Sequence, residues 1–211
     1  MRGLIEHSLT ALQRMDRART AILGIHWQVD VVEPQGILGP TFAAMVRETG
    51  VIERTQKVFA AARSAGMSVV YVNAAYHTGH ADLLRNNALF NAVAEKNGFV
   101  RGTRGAEIIS DLARQPGDFV VEHTRISSFF GTDLLGILAA RNVRTVVATG
   151  VATNVAVDTT IRDAVQYGFD AILIEDCCTS ASRAHHDAAL LTLKVLATEI
   201  VSASSFLDAI G

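Results

Sequence analysis

Residues 144–176 read RTVVATGVATNVAVDTTIRDAVQYGFDAILIED and contain two apolar, β-branched runs, 144–149 and 170–175. Between these runs, apolar side chains recur at helical spacing, and the pattern stops at Gly168. A strand, a helix and a second strand in this order are typical of a β-α-β unit, whose two strands lie parallel in one sheet. The segment therefore predicts a parallel α/β fold.

Four further apolar runs repeat this alternation along the rest of the chain. They occupy residues 20–25, 67–73, 118–122 and 199–202. All six runs are apolar throughout rather than alternating between apolar and polar residues, which indicates strands buried on both faces of a sheet. The sequence predicts an α/β protein with six parallel strands.

The segments between the strands differ in how clearly they indicate helices. Helical spacing is evident in residues 40–65, 131–140 and 182–196, the first of which fits one long helix or two short ones. Residues 74–104 form a long crossover in which the periodic signal weakens. Long connections of this kind are often lids or binding loops.

The composition of the 211 residues is that of a globular protein. Hydrophobic residues make up 49%, and 19 basic side chains nearly balance 21 acidic ones. Proteins that bind nucleic acid usually carry a basic excess, so we expect no nucleic-acid partner. We expect one domain over residues 1–211, with residues 1–19 as a helical extension that packs on its own sheet or on a neighbouring subunit.

Several features predict a cytoplasmic protein with no membrane contact. The longest apolar runs are far shorter than the roughly 18 residues that cross a bilayer. The N-terminal segment lacks the continuous apolar core of a signal peptide. The two cysteines, Cys177 and Cys178, are adjacent, a spacing unsuited to a disulfide, and so predict free thiols in a reducing compartment.

Three blocks of the sequence resemble one known family. They are TGVATNVAVDTTIRDA at 149–164, TAILGIHWQVD at 20–30 and FVVEHTRISSFFGTDL at 119–134. In these blocks the chain resembles the isochorismatase-like, or cysteine hydrolase, superfamily. The resemblance implies a three-layer α/β/α sandwich of Rossmann-like type and a dimer or tetramer. It also implies hydrolysis of a small molecule, either an amide, such as nicotinamide or an N-carbamoyl amine, or the vinyl ether of isochorismate.

The resemblance fails at the three positions that carry the chemistry of most family members. These members use an aspartate, a lysine and a cysteine, and the matching residues here are His26, His123 and Ala156. Alanine cannot attack a carbonyl carbon, so acyl transfer through position 156 is excluded. The vinyl-ether route, which keeps the aspartate as proton donor, is also lost.

Two histidines at matched catalytic positions predict acid-base chemistry. An imidazole with an ordinary pKa of about 6.5 accepts and donates protons at cellular pH. We expect His26 and His123 to act in this way on a small carbonyl-containing or cyclic molecule, with water as any nucleophile. Hydrolysis of an amide or related C–N bond is one outcome, and a lyase, isomerase or cyclase reaction is the alternative.

Two further hypotheses belong to different classes. His26, His123 and Asp30 fit a two-histidine, one-carboxylate metal site. The leading hypothesis nevertheless requires no metal or other cofactor. His77 and His80 offer a second pair of nitrogen ligands in the long crossover. The loss of all three family residues also fits a binding protein without catalytic activity.

Other candidates for substrate contact follow from the matched blocks and from the tendency of ligands to bind at the carboxyl ends of parallel strands. Some of them have simpler structural explanations, namely core packing for the aromatic residues and helix capping for Asn154. The resemblance further implies a cis peptide bond between Val151 and Ala152 and backbone hydrogen-bond donors at positions 152 and 156. The candidates for substrate contact are Trp27, Asp30, His77, His80, Phe129, Ala152, Asn154 and Ala156.

Overall fold

Six parallel strands form the centre of the structure, a computed structural model that describes residues 9–211. The strands are β1 (Thr20–Ile25), β2 (Ser68–Ala74), β3 (Phe119–His123), β4 (Thr145–Val151), β5 (Asp170–Thr179) and β6 (Glu199–Val201). Their order across the sheet is β3-β2-β1-β4-β5-β6, and every pair is parallel. The predicted six-stranded parallel sheet is confirmed.

Eight α-helices accompany the sheet among the described residues. They are α1 (Val29–Val32), α2 (Gly39–Thr49), α3 (Val51–Ser64), α4 (Ala88–Glu95), α5 (Leu134–Ala140), α6 (Asp158–Gln166), α7 (Arg183–Leu196) and α8 (Ala203–Ile210). Side chains of α2, α3, α4 and α8 share one hydrophobic cluster with one face of the sheet. Those of α5, α6 and α7 share a second cluster with the other face, so the predicted α/β/α sandwich is also confirmed.

The central strands show why the sequence alternates so little. Every residue of β1, β2 and β4 is buried. Successive side chains of a strand point to opposite faces, so Ile22 enters one hydrophobic cluster and Leu23 the other. With a core on each side, no position in these strands favours a solvated side chain.

Of the two alternatives for residues 40–65, one long helix or two short ones, the structure has two helices. The break falls at Gly50, whose φ of 59° lies in the left-handed region that ends helices and favours glycine. The crossover 74–104 contains α4, which its weak periodicity did not reveal.

The predicted N-terminal helical extension is not an α-helix where it is described. Residues 1–8 lie outside the described residues. Residues 11–14 form a turn, and a single 3₁₀ turn, Arg17–Arg19, leads into β1. Within residues 9–211, no helix has the length and apolar character needed to cross a membrane.

Gly150 allows β4 to pass unusually close to β1. Its φ is 138°, and an added Cβ would lie 2.2 Å from the carbonyl oxygen of Ile25. Because that neighbour is backbone, a side chain there fits only if the strands separate. The pairing of the two strands therefore depends on glycine at position 150.

We expect Gly150→Ala to lower the free energy of unfolding by about 3 kcal/mol, through the clash and the strained φ together. The matched control is Gly136→Ala in the exposed part of α5, where an added Cβ meets nothing within 4 Å. This control should gain about 0.5–1 kcal/mol, because alanine favours a helix interior. Urea unfolding of both variants tests the comparison, and equal stabilities would contradict it.

Candidate active site

The strand order creates a crevice at the carboxyl ends of β1 and β4. These strands are neighbours, but the helices that follow them pack on opposite faces of the sheet. Open parallel sheets bind ligands at this switch point, where the connections from two neighbouring strands leave to opposite faces of the sheet. His26 follows β1 and Ala152 follows β4, so both residues lie at this crevice.

His26 lies in a sharp turn between β1 and α1. Its φ is 57°, a value that non-glycine residues adopt infrequently, and its backbone N–H donates to the carbonyl oxygen of Val72. The imidazole Nδ1 lies 3.1 Å from the carbonyl oxygen of Val151. The other ring nitrogen, Nε2, lies 2.6 Å from Nε2 of His123.

His123 is the last residue of β3 and is only 2% exposed. Its Nδ1 lies 3.1 Å from the carbonyl oxygen of Ser127. The Ser127 hydroxyl donates to the carboxylate of Asp163 on α6. The loop after β3 is thereby attached to α6, and it presents a carbonyl oxygen to the buried ring.

The surroundings of the two imidazoles disfavour positive charge. Burial, reinforced by the nearby His123, lowers the pKa of His26 to about 3, although the bond to Val151 acts in the opposite direction. Burial lowers the pKa of His123 to about 4, against the effect of its bond to Ser127. Both rings are therefore neutral at pH 7 in the ligand-free protein.

A small, mainly apolar pocket of about 120 Å³ opens beside His26. His123 is not among its lining residues, because it lies behind His26. The pocket has the mainly apolar lining of a ligand site, but it is smaller than the roughly 300–1,000 Å³ of most such sites. The lining residues are His26, Val31, Leu38, Phe42, Ala74, Tyr76, Leu89, Phe90, Val93, Phe99, Arg125, Ile126, Val151, Ala152, Val155 and Ala156.

Two polar side chains of this pocket were not predicted from the sequence. The Arg125 guanidinium lies 4.5 Å from the centre of the Phe90 ring and donates to Leu84 and Asn86. Burial raises the pKa of Tyr76 to about 12, so its hydroxyl keeps its proton. The sequence did contain a signal, since both residues lie two positions beyond a strand end.

Ala156, which the resemblance matches to the family cysteine, is buried. Ala156 lies in a π-helical turn, Thr153–Val157, and lines the pocket with Ala152. The Val151–Ala152 peptide bond is cis, as the resemblance implies. Cys177 and Cys178 are buried in β5, and burial raises the pKa of both thiols, to about 12 for Cys177, so neither supplies a thiolate.

The structure places Asp30 and Trp27 outside the pocket lining. The Asp30 carboxylate accepts hydrogen bonds from the backbone N–H groups of Phe99 and Ile37. Trp27 is fully buried in the core, and its indole N–H points to Thr149. Asp30 thus secures the long crossover, and Trp27 packs beneath the site.

Four other predicted contacts also lie away from the pocket. His77 is exposed on the surface, whereas His80 is buried and its ring bonds to the carbonyl oxygen of Gly98. Phe129 packs in the core against other aromatic rings. Asn154 is exposed and accepts a hydrogen bond from Ser180. Of the predicted set, the pocket lining contains His26, Ala152 and Ala156.

The carboxylate of the hypothetical metal site is not beside the histidine pair, since Asp30 bonds to backbone groups of the crossover. Among residues 9–211, no group of three or more histidine, cysteine, aspartate or glutamate side chains is placed to hold a metal ion. The His77 and His80 side chains do not form a ligand pair either, because His80 is turned into the protein.

The parallel sheet, doubly wound with a small apolar pocket at its switch point, places the chain in the doubly wound α/β class of proteins. The Isochorismatase domain matches residues 20–205, so the chain belongs to the isochorismatase family. The superfamily resemblance of the three sequence blocks is thus confirmed.

Relatives and solved structures agree with this assignment. The ureidoacrylate amidohydrolase of Caulobacter vibrioides is 32% identical over 179 residues, covering 79% of this chain and 80% of that protein. The enzyme of the same name from Variovorax paradoxus is 40% identical over 139 residues, covering 60% and 55%. A cysteine hydrolase structure from Pseudomonas syringae pv. phaseolicola has a TM-score of 0.85 at 27% identity, covering 93% of this chain and 94% of that one.

The lowered pKa values of the histidine pair predict a loss of stability in acid. An imidazole in the unfolded chain titrates near 6.5, so between about pH 6.5 and 4 the unfolded chain binds more protons than the folded one. The free energy of unfolding should therefore fall as the pH is lowered, by up to about 1.4 kcal/mol per pH unit for each ring. Urea unfolding at several pH values measures this slope.

Histidine variants show whether this pair causes the pH dependence of the unfolding free energy. The double variant His26→Gln, His123→Gln should show a shallower pH dependence, because the groups that resist protonation are gone. His77→Gln, which removes an exposed imidazole, should keep the slope of the wild-type protein. An unchanged slope in the double variant would show that other groups govern acid unfolding.

Proposed function

We propose that this protein hydrolyses an amide or related C–N bond of a small carbonyl-containing molecule, with water as the nucleophile. The family assignment and the amidohydrolase names of the relatives support the reaction class. The observation that carries the proposal for this chain is the His26–His123 contact of 2.6 Å beside the pocket. It joins the two positions that match the family aspartate and lysine.

The two histidines have different roles in this proposal. His26 lines the pocket and exchanges protons with the reacting atoms, whereas His123 lies behind it and is a positioning residue. Both ring nitrogens of His26 contact protein atoms in the ligand-free structure. Proton exchange with a substrate therefore requires His26 to release either Val151 or His123.

The proposed reaction proceeds in two steps. The oxygen of a water molecule attacks the substrate carbonyl carbon while a water proton passes to His26. Backbone N–H groups at Ala152 and Ala156 are the proposed donors to the developing oxyanion. His26 then gives the proton to the departing nitrogen as the C–N bond breaks, which yields a carboxylic or carbamic acid and an amine.

Screening of small amides and N-carbamoyl compounds should identify a substrate, and isotopically labelled water identifies the reaction. Hydrolysis places one oxygen atom from water in the acid product, because the carbonyl carbon gains a hydroxyl oxygen. A lyase or isomerase reaction leaves no such label at that carbon. Mass spectrometry of the product therefore separates the proposed function from its alternative.

We expect His26→Ala and His123→Ala each to lower kcat on that substrate by at least about 100-fold, the usual contribution of a positioned acid-base group. His185→Ala is the matched control, because His185 is an exposed histidine on α7 and should leave kcat unchanged. Circular dichroism of each variant verifies folding. Wild-type values of kcat in both the His26 and the His123 variants would show that neither histidine takes part in the mechanism.

A further inference from the structure

The His26–His123 pair is one proton short of satisfying its own contacts. Its four ring nitrogens make three contacts: one to the Val151 carbonyl, one to the Ser127 carbonyl and one to each other. Each contact is a hydrogen bond only if it contains a proton, because carbonyl oxygens do not donate. Two neutral imidazoles carry two N–H protons in total. In one of the three contacts, therefore, two lone pairs meet with no proton between them. A third proton would complete all three.

The protein itself does not supply the negative charge that a third proton needs. The pKa of His26 is shifted by burial, by His123 and by the Val151 carbonyl, and the pKa of His123 is shifted by burial and by the Ser127 carbonyl. No carboxylate contributes to either shift. The titratable and charged groups around the pair are Tyr76 and Arg125 in the pocket wall and Asp163 beyond Ser127. Asp163 already accepts bonds from Ser127 and Gln166.

Arg125 in the pocket wall carries a positive charge without a counter-ion. Arg125 donates to neutral oxygens, those of Leu84 and Asn86, and among the described residues it has no carboxylate within salt-bridge distance. The rest of the lining is mainly apolar. A cation beside a mainly apolar cavity favours an anionic ligand; Arg125 is half-buried, so water screens part of this attraction.

We propose that the pocket binds a small, mainly apolar carboxylate, and that the His26–His123 pair takes up its third proton when this anion binds. The carboxylate pairs with Arg125 and supplies the negative charge that the protonated pair lacks. Proton and anion then stabilise each other within one cavity, so each raises the affinity for the other. The proposal rests on the proposed function only in treating this pocket as the substrate site, and the carboxylate it describes is of the class of the acid product, because a pair that already holds its third proton cannot accept one from water.

Isothermal titration calorimetry with benzoate and benzamide tests the proposal, since the two probes have nearly the same shape and differ in charge. We expect benzoate to bind more tightly than benzamide. Titrations in phosphate and in Tris should give different heats for benzoate, because the buffer supplies the proton that the pair takes up. Between about pH 8 and 6, Kd for benzoate should fall by up to about tenfold per pH unit, and Kd for benzamide should stay constant.

Two variants assign the proton and the charge to their residues. His123→Gln should abolish the buffer dependence for benzoate, whereas His77→Gln, at an exposed histidine, should retain it. Arg125→Gln should weaken benzoate by about tenfold or more with little effect on benzamide. Arg85→Gln, at an exposed arginine of the crossover 74–104, should leave both affinities unchanged.

Three results with the wild-type protein would overturn the proposal: no benzoate binding at millimolar concentration, benzamide binding as tight as benzoate, or equal benzoate heats in both buffers. Nitrogen NMR of the histidine rings provides a test without variants. Benzoate should convert the pair to an imidazolium signal, and an unchanged spectrum in the bound state would contradict proton uptake. Because these tests measure binding alone, they can fail while hydrolysis is observed, and the reverse also holds.

Discussion

The backbones of β1 and β4 approach so closely at Ile25 and Gly150 that no side chain fits between them. This approach occurs in the last residues before both strands end, and the geometry of the pocket depends on it. It brings the Val151 carbonyl oxygen within hydrogen-bond reach of His26 and aims the first turn after β4 at the same point. Register between the two central strands therefore sets the position of the imidazole as well as the stability of the sheet.

Much of the fold could be predicted because its cause is local in the sequence. A strand buried on both faces is almost wholly apolar, and such runs marked the six strands to within a few residues. The expectation of burial on both faces is wrong for the edge strands β3 and β6, which are only partly buried. The same logic located His26 and Ala152, which lie at the ends of neighbouring strands in the structure. Helix α4 escaped prediction because it is short, although the Asn87 side chain caps its first turn.

The rest of the candidate site depends on contacts between distant segments. Sequence position suggested Asp30 as a polar group near the pocket, but its carboxylate is used by backbone amides of the crossover, at Phe99 among others. The same crossover brings Tyr76 and Phe90 to the pocket wall. Proximity to a strand end identifies residues that can reach a site, and tertiary packing decides which of them do so.

Cys177 and Cys178 are neighbours in the chain, but their side chains lie on opposite faces of the sheet. One thiol lies in the hydrophobic cluster on one face of the sheet and the other in the cluster on the opposite face. Both are buried, and the chain has no other cysteine. A cysteine introduced at Ala156 would therefore be the one thiol among the residues that line the pocket. The natural sequence is thus already suited to attaching one spectroscopic label beside the histidine pair.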